Sequence, residues 1–309
     1  MSAVVAIAAP PLLTLPHELQ DHELVTSISG GKDSTALILA LREADIPTRY
    51  VFADTGWEAP EVYAYLDLLR DRLGIRIDVV GAEGGMIARA RHRAGFPCRT
   101  GRWCTRELEL EPIRAYHAEL EEDLGRPSAS IVGVRAQESR RRAAMPELEQ
   151  EAMGPRSWGW WVWRPLIGWS VEDVLRIHAR HGVPVNPLYQ AGADRVGCWP
   201  CIFSNKDELR LIAQRDPARI EQIAALEEEL TELRQARNAE APGRYTTPRT
   251  SFFQGRQSGP LGVAPSIHDV VAWARTSRGG RQLPLFEAGP RGGCLRWGLC
   301  EAAEPAEEG

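Results

Sequence analysis

The sequence predicts an α/β protein, built on a doubly wound and mainly parallel sheet with a helical C-terminal extension. Three observations support this. Short apolar runs alternate with amphipathic segments through the first half of the chain. A glycine-rich turn joins the first run to an apolar helix, and a long, charged helical stretch begins near residue 216. Such alternation is typical of parallel strands that carry helices on both faces of the sheet.

The individual elements follow from local patterns. Ser170 is a suitable N-cap for a helix because Glu172 and Asp173 lie in its first turn. Ser204 is expected to begin another helix, with Asp207 as its capping-box partner. Apolar runs predict strands at residues 24–28, 49–53, 75–80, 128–134 and 161–163. Helical patterns predict helices at residues 33–44, 60–73, 105–124, 170–182, 216–238 and 267–275.

The chain has 309 residues, 43% hydrophobic and 26% charged, which suits one large domain or two smaller ones. We expect an N-terminal extension at residues 1–22. A nucleotide-binding domain with inserted cysteine motifs should follow at 23–205, and a helical region at 206–277. The segment 278–309 is rich in glycine and acidic residues, which predicts a flexible tail that contains cysteine.

Charge and hydropathy limit the partners and the cellular compartment expected for this chain. The net charge of −5 gives no overall attraction to nucleic acid or to an anionic membrane. No lysine or arginine precedes Lys32, so a signal peptide is not expected, and no uncharged stretch is long enough to span a bilayer. We therefore predict a cytoplasmic protein without a membrane partner, in which cysteines indicate metal or redox chemistry.

The glycine-rich turn, residues 29–34, reads Ser-Gly-Gly-Lys-Asp-Ser. A strand, a tight glycine turn and a helix N-terminus together form an anion site, because backbone N–H groups converge where the helix dipole favours negative charge. The spacing is not that of a Walker A loop. Of the 37 basic residues only Lys32 and Lys206 are lysine, and a compact ammonium fits a narrow phosphate cradle. The alternative is a turn that merely starts a helix.

Two local cysteine pairs predict a metal centre. Cys98 and Cys104 form one pair, and Cys198 and Cys201 form a CxxC hairpin. Four thiolates can ligate either an iron–sulfur cluster or structural zinc, and spacing alone does not separate the two. The alternative is a set of unrelated buried cysteines.

Three further features are candidates for binding. Arginine forks at residues 135–142, directly after a predicted strand, suit phosphate or sulfate, although a solvated basic loop is the alternative. Lys206 could bind a substrate anion or lie at the surface. The tryptophans between 158 and 169 could stack on nucleic acid bases, but packing of a β-ribbon is favoured. The scattered histidines receive no role.

Several motifs occur in an order that resembles the phosphoadenosine phosphosulfate reductase family, whose glycine turn is called the PP-loop, within the adenine-nucleotide α-hydrolase superfamily. The resemblance covers about residues 23–210. After SGGKDS the motifs are FADTGWEAPE (52–61), WCTRELELEPI (103–113), GVRAQESRRRA (133–143), RPLIGWSVEDV (164–174) and NPLYQAGADRVGCWPC (186–201).

The resemblance implies that the chain binds an adenine nucleotide, either ATP or adenylyl sulfate, together with Mg²⁺. The residues expected at the nucleotide are Ser29, Gly30, Gly31, Lys32, Asp33, Ser34 and Asp54. The expected catalytic residues are Lys32, Asp33 and Arg135. The substrate side would be lined by Arg135, Glu138, Ser139, Arg140, Arg142 and Lys206.

The cysteine pairs resemble the ligands of the [4Fe–4S] cluster in adenylyl-sulfate reductases and in the ATP-using component of DNA phosphorothioation systems. This favours iron–sulfur over zinc at Cys98, Cys104, Cys198 and Cys201. The C-terminal segment departs from the reductases, because it contains Cys294 and Cys300 but lacks their catalytic Glu-Cys-Gly-Leu-His sequence.

The intact glycine turn with Lys32 resembles the family members that split ATP between its α and β phosphates. The leading hypothesis is therefore an ATP pyrophosphatase that adenylylates a substrate, with DNA or RNA as a candidate, for sulfur transfer from a donor such as a cysteine desulfurase. One alternative is a reductase of adenylyl or phosphoadenylyl sulfate that uses a thiol of the tail. Another is a nucleic-acid-binding subunit of a larger assembly. The oligomeric state stays open.

Overall fold

The computed structural model describes residues 12–151, 159–245, 247, 249–253 and 265–276. They form two compact units, each assembled from separate stretches of the chain. The first comprises the described residues of Met1–Ala53, Pro60–Val80 and Pro112–Pro187. The second comprises those of Asp54–Ala59, Gly81–Glu111 and Leu188–Gly309. The domain boundaries predicted after residues 22, 205 and 277 stay a prediction.

The sheet has six strands in the order β3-β2-β1-β4-β6-β5. The strands are β1 (Glu23–Ile28), β2 (Arg49–Asp54), β3 (Ile77–Gly81), β4 (Ser128–Val132), β5 (Leu148–Gln150) and β6 (Trp161–Trp163). Strand β1 pairs in parallel with both β2 and β4, and β4 pairs in parallel with β6. Strand β5 pairs antiparallel with β6. The predicted mainly parallel α/β sheet is therefore confirmed, with β2 and β3 on one side of β1 and β4, β6 and β5 on the other.

Ten α-helices accompany these strands in the described part of the chain. They are α1 (Lys32–Glu43), α2 (Pro60–Leu73), α3 (Gly85–Arg93), α4 (Glu111–Leu124), α5 (Arg140–Ala143), α6 (Val171–Arg180), α7 (Pro187–Gln190), α8 (Lys206–Arg215), α9 (Pro217–Glu240) and α10 (Ile267–Ala274). None of the helices within the described ranges combines the length and the apolar character needed to cross a bilayer.

The first unit is organised around β1 and α1. Val25 and Val51 are fully buried and pack with Leu120 of α4. Helix α1 is buried almost all round from Ser34 to Leu41, as expected for a helix inside a core rather than on its surface. The predicted N-cap of α6 is confirmed, because the Ser170 hydroxyl accepts the Asp173 N–H at 3.1 Å. The burial of α1 thus holds in place the helix that follows the glycine turn.

The tryptophan-rich segment packs as a β-ribbon, the favoured interpretation. Trp163 of β6 is fully buried, and its indole N–H donates to Glu147 Oε1 at 3.2 Å. The Trp160 ring stacks on His117 with centroids 4.3 Å apart. Trp158 lies outside the described residues. The described members of this segment therefore serve the core of the first unit.

The second unit is mainly helical, and it departs from the sequence prediction at two helix starts. Residues 105–110 form a π-helical turn before α4, where one continuous helix was expected. Helix α8 is capped by Asn205, whose Oδ1 accepts the N–H groups of Asp207 and Glu208 at 2.9 Å. The predicted cap at Ser204 is wrong because its hydroxyl instead accepts the Cys201 N–H at 3.1 Å.

An aromatic cluster forms part of the core of the second unit. Phe252 stacks on Trp57 with ring centroids 5.9 Å apart, and it meets Phe96 edge-on at 5.2 Å. The buried Glu227 carboxylate accepts the N–H groups of Phe252 at 2.8 Å and Ile267 at 2.9 Å. These bonds connect α9 to Phe252 and to the first residue of α10, whose amide has no partner within its own helix.

Candidate functional site

The glycine turn is locked by its own hydroxyl groups. The Gly31 carbonyl accepts the hydroxyls of Ser34 and Thr35, each at 3.0 Å. The Ser29 N–H donates to Ser34 Oγ at 3.2 Å. Gly30 has a φ of +70°, and a β-carbon there would lie 3.1 Å from a methyl of Val62. Glycine is therefore required at position 30 for both backbone and space.

Two side chains distant in sequence hold the carbonyl groups of this turn. The Asn186 amide donates to the Gly30 carbonyl at 3.2 Å, and His178 Nε2 lies 2.8 Å from the Lys32 carbonyl. In a trans peptide the N–H points away from the C=O of the same plane. The N–H groups of Gly31 and Asp33 therefore point away from these anchors, in the arrangement that an anion site needs.

His178 is fully enclosed, and both ring nitrogens face carbonyl oxygens. Nδ1 lies 2.9 Å from the Val183 carbonyl. Burial lowers the pKa of His178, although the hydrogen bonds to the Lys32 and Val183 carbonyls oppose that shift. Sequence reasoning missed His178, because an isolated histidine carries no spacing signal. Asn186 stood within a family motif but had no assigned role.

Two cations share one carboxylate at the start of α1. Asp33 Oδ2 lies 2.7 Å from Lys32 Nζ, and its Oδ1 accepts a hydrogen bond from Arg135 Nε. The lysine and arginine side chains are only 5% and 2% exposed. The structure therefore brings together the three predicted catalytic residues, and the shared carboxylate fixes where both positive charges lie.

Strand β4 delivers Arg135 to this network. A β-carbon on Gly133 would lie 3.0 Å from the Asp33 carbonyl oxygen, so the chain leaving β4 passes directly against the glycine turn. The Arg135 N–H donates to Glu138 Oε2 at 2.8 Å, and its Nη1 donates to Gln137 Oε1 at 3.2 Å. Glu138, predicted on the substrate side, thus orients the arginine-bearing turn.

The remaining predicted residues of this segment lie in and beside the short helix α5. Ser139 caps α5 by accepting the Arg142 N–H at 3.2 Å. Arg142 forms an ion pair with Glu138, and Arg140 is exposed. Their predicted role toward a substrate stays a prediction.

Asp54 and Lys206 belong to the second unit. Asp54 is the last residue of β2, and its Oδ1 accepts the Gly56 N–H at 2.8 Å. The Lys206 ammonium donates to the carbonyl and, at 3.3 Å, to the hydroxyl of Thr276, and it lies 4.7 Å from the centroid of the Trp273 ring. These contacts give Lys206 a structural task, and its substrate role stays a prediction.

The four predicted ligand cysteines all lie in the second unit. Burial raises the pKa of Cys198, and the nearby Glu58, Cys201, Glu109 and Cys104 raise it further. Burial also raises the pKa of Cys104. Three of the four thiols are therefore close enough to influence one another's charge.

Cys98 has different surroundings. Its sulfur accepts the Gly101 N–H at 3.1 Å and lies 3.4 Å from Thr100 Oγ1. Burial raises the pKa of this thiol, but the hydrogen bonds outweigh burial and lower it. Arg99 and Arg102, which flank this turn, both lie over the Phe203 ring, so the turn packs beside the CxxC hairpin.

Two carboxylates accompany the thiols. Burial, together with the nearby Glu58 and against the opposing effect of Arg102, raises the pKa of Glu109 to about 7. The donor chemistry suits a thiolate-bound metal, yet no three cysteine, histidine or acidic side chains among the described residues converge closely enough to hold an ion. As arranged, the residues do not form a closed metal site.

A doubly wound sheet with a glycine turn between its central strand and a buried helix defines an α/β nucleotide-binding protein. The model of the phosphoadenosine phosphosulfate reductase domain matches residues 23–204, more than half of the chain. The chain therefore belongs to this family.

Individual relatives extend the comparison. An uncharacterized 37.8 kDa protein in the gpa 5′ region of Escherichia phage 186 is 33% identical, over 85% of this chain and 91% of its own. The adenosine 5′-phosphosulfate reductase of Allochromatium vinosum is 30% identical, over 58% of this chain and 67% of its own. A crystal structure of phosphoadenylyl-sulfate reductase from Candida auris, in complex with phosphate, has a TM-score of 0.47 at 19% identity. It covers 59% of this chain and 84% of that one.

Proposed function

We propose that this protein is a PP-loop ATP pyrophosphatase that adenylylates a substrate for sulfur transfer, with nucleic acid as the candidate acceptor. The observation that carries the proposal is the intact glycine turn, in which buried Lys32 is joined through Asp33 to buried Arg135. A loop that binds a nucleotide lacking a β,γ-pyrophosphate has less need of a compact cation at this position.

In the proposed reaction the turn holds the β and γ phosphates of ATP. An oxygen of the substrate attacks the α phosphorus, and the bond from that phosphorus to the bridging oxygen breaks. Pyrophosphate leaves with the bonding electron pair. Lys32 and the N–H groups of Gly31 and Asp33 stabilise the charge that develops on it. A sulfur nucleophile then attacks the substrate atom that carries the adenylylated oxygen. The bond between that atom and the oxygen breaks, and AMP leaves with the oxygen and the bonding electron pair.

The other residues of the site act on these groups. Asp33 keeps Lys32 and Arg135 in place before the nucleotide arrives, so that little ordering is needed during the reaction. We assign Ser29, Gly30 and Ser34 to the cradle, and Asp54 to the Mg²⁺ that would accompany ATP. Arg135, Arg140 and Arg142 would face the substrate, with Glu138 and Ser139 as their supports.

The decisive experiment supplies the purified protein with either Mg²⁺ and ATP or adenylyl sulfate, and it measures pyrophosphate and sulfite. We expect pyrophosphate from ATP, with release reduced about 100-fold or more in Lys32→Ala, because one positioned charge stabilises the leaving group. Lys32→Arg is the matched variant: it keeps the charge but widens the head group, so activity should stay low. Absence of ATP binding by the wild-type protein would refute the proposal.

The cysteines form a separate part of the proposal. We assign Cys98, Cys104, Cys198 and Cys201 to a [4Fe–4S] cluster, supported by the placement of both pairs in one unit, and no step above depends on it. Anaerobically purified protein should be brown and contain iron and sulfide in equal amounts. Colourless protein that contains zinc would show the other four-thiolate centre.

One relative favours a second candidate, a thiol-dependent reductase that releases sulfite, because the Allochromatium vinosum protein of that activity is 30% identical. Its thiol would come from Cys294 or Cys300, which lie outside the described residues. The double variant Cys294→Ser and Cys300→Ser should then lose sulfite release, whereas retained release would exclude chemistry by these thiols. A cysteine desulfurase as sulfur donor and a cytoplasmic location stay predictions.

A further inference from the structure

A basic cavity of about 270 Å³ lies in the second unit, apart from every residue assigned above. It is lined by His92, Arg93, Arg237, Arg244 and Tyr245. Three arginines thus line one cavity, and this lining, as far as the structure describes it, contains no carboxylate. The chain as a whole carries a net charge of −5, so such a concentration of positive charge needs a local cause.

Arg237 is fixed by neutral acceptors. Its Nη1 donates to the His92 carbonyl at 2.9 Å and lies 3.2 Å from the Tyr245 hydroxyl, while its Nη2 donates to the Arg91 carbonyl at 3.3 Å. These carbonyls end α3, so the guanidinium caps that helix. Capping accounts for this one arginine, because the last turn of a helix favours a cation.

Arg244 has no comparable explanation. It is exposed, and its guanidinium lies 5.8 Å from the centroid of the Tyr245 ring. Across the described ranges, neither Arg244 nor Arg237 has a carboxylate within ion-pair distance. Arg93 differs, because it shares the buried Glu107 with Arg106.

The turn that carries Arg244 is held in place by hydrogen bonds to α9. Asn238 of α9 donates to the Tyr245 carbonyl at 2.9 Å and accepts the Tyr245 N–H at 2.8 Å. This reciprocal pair pins the turn after α9 to the helix and sets where Arg244 and Tyr245 stand. Helix α3, helix α9 and the turn therefore each contribute one arginine to the lining of the same cavity.

We propose that this cavity binds a phosphate group. Arg237 and Arg244, which line the cavity from two different elements, match a tetrahedral anion with several exposed oxygens better than a planar carboxylate with two. The cavity is slightly smaller than the range of about 300 to 1,000 Å³ typical of sites for whole small molecules. It therefore suits a phosphate with little else enclosed, either as a link in a polynucleotide backbone or as free phosphate.

A polynucleotide source would identify the acceptor class of the proposed reaction, and in that respect alone the inference rests on the proposed function. Binding itself requires neither ATP nor the glycine turn. The two sources differ in a measurable way, because a backbone phosphate brings neighbouring charges and a strong salt dependence, whereas inorganic phosphate does not.

The test uses the full-length protein without ATP. Fluorescence anisotropy measures binding of a labelled 20-nucleotide RNA and of a 20-base-pair DNA at several salt concentrations, and calorimetry measures inorganic phosphate. Arg244→Ala should weaken binding of the responsive probe about tenfold and, for a polynucleotide, reduce the slope of log affinity against log salt by about 1. The matched control is Arg76→Ala, which removes a side chain that is 89% exposed, and it should bind like the wild type.

Binding of a polynucleotide or of inorganic phosphate that depends on Arg244 supports the proposal, and the responsive probe identifies the source. Equal affinity in Arg244→Ala and Arg76→Ala overturns it, as does absence of binding of every probe to the wild type at 50 mM salt. Pyrophosphate release from ATP is measured in parallel on the wild type, so a failure of ATP cleavage and a failure of Arg244-dependent phosphate binding appear in different measurements.

Discussion

Arginines at two places, one in each unit of this chain, have opposite surroundings. In the first, Arg135 is buried and its charge is matched by the Asp33 carboxylate, which Lys32 shares. In the second, Arg237 and Arg244 contact carbonyls and an aromatic ring instead of carboxylates. A carboxylate partner fixes a cation permanently, whereas neutral partners leave its charge available. The first arrangement suits a rigid catalytic frame, and the second suits capture of an anion.

Replacing Arg135 and Arg244 in turn should give the largest difference in stability between changes in the two units. Arg135→Ala should lower the free energy of unfolding by about 3–5 kcal/mol, because it breaks a buried ion pair and leaves a cavity. Arg244→Ala should change it by no more than about 0.5 kcal/mol, as is usual for an exposed side chain. Urea denaturation of both variants measures the two free energies of unfolding. Equal losses of stability would show that the Asp33–Arg135 pair does not stabilise the fold more than an exposed arginine does.

Acid should weaken the first unit through its buried histidines. Burial lowers the pKa of His117 to about 4. The unfolded chain binds a proton near pH 6.5 that the folded chain does not, so stability is full above that pH and falls below it, by about 2 kcal/mol between pH 7 and pH 5.

His117→Phe should remove much of this dependence while keeping the aromatic stack on Trp160. Within the described residues His117 Nε2 has no hydrogen-bond partner, so loss of that atom costs nothing there. His268→Gln changes an exposed histidine of the second unit and should keep the wild-type slope. If the free energy of unfolding fell equally with pH in the two variants, the loss of stability in acid could not be assigned to His117.

A methyl group at Gly30 should cost more than the same change at Gly243 of the second unit. Both have positive φ, +70° and +83°, so alanine is strained at each by about 1–2 kcal/mol. At Gly243 nothing lies within 4 Å, whereas at Gly30 the new carbon meets Val62 at 3.1 Å. We expect an extra loss of about 1 kcal/mol for Gly30→Ala, measured by thermal unfolding. Equal losses would mean that the glycine turn yields to accommodate the methyl group.

Lys206→Ala should have a modest effect on stability. The ammonium binds the Thr276 carbonyl and packs on Trp273, so its removal should cost about 1 kcal/mol. Thr276→Val is the control, since it keeps the carbonyl. An unchanged melting temperature together with slower adenylylation would instead support the substrate role predicted from the sequence.

Much of the first unit could be predicted because its signals are local. The strands around β1 are short apolar runs, and the glycine turn, Lys32 and Arg135 each stand directly after a strand. Strand β5 was missed because Leu148–Gln150 has no strand-favouring composition and pairs only because β6 lies beside it. The anchors His178 and Asn186 act across 146 and 156 residues, a distance at which no periodicity operates.

The second unit was predicted less well because fewer of its elements carry a local sequence signal. Helix α3 has two buried side chains beyond its first glycine, Met86 and Ala90, too few to produce an amphipathic pattern. Without α3 the sequence offers no reason to bring Arg93 toward Arg237 and Arg244. The cysteine pairs were recognised from their local spacing. Whether the four sulfur atoms come close enough to ligate one metal centre depends on tertiary packing, which the spacing does not encode.

The carbonyl anchors on the glycine turn have a consequence for the thermodynamics of nucleotide binding. A free turn could rotate its peptide planes and present oxygen atoms to an incoming phosphate, and reversing them would consume part of the binding energy. With the Gly30 carbonyl held by Asn186 and the Lys32 carbonyl beside His178, the dipoles already have the correct sign. The turn is therefore ordered during folding, and loss of Asn186 would weaken nucleotide binding because the ordering would then accompany that step.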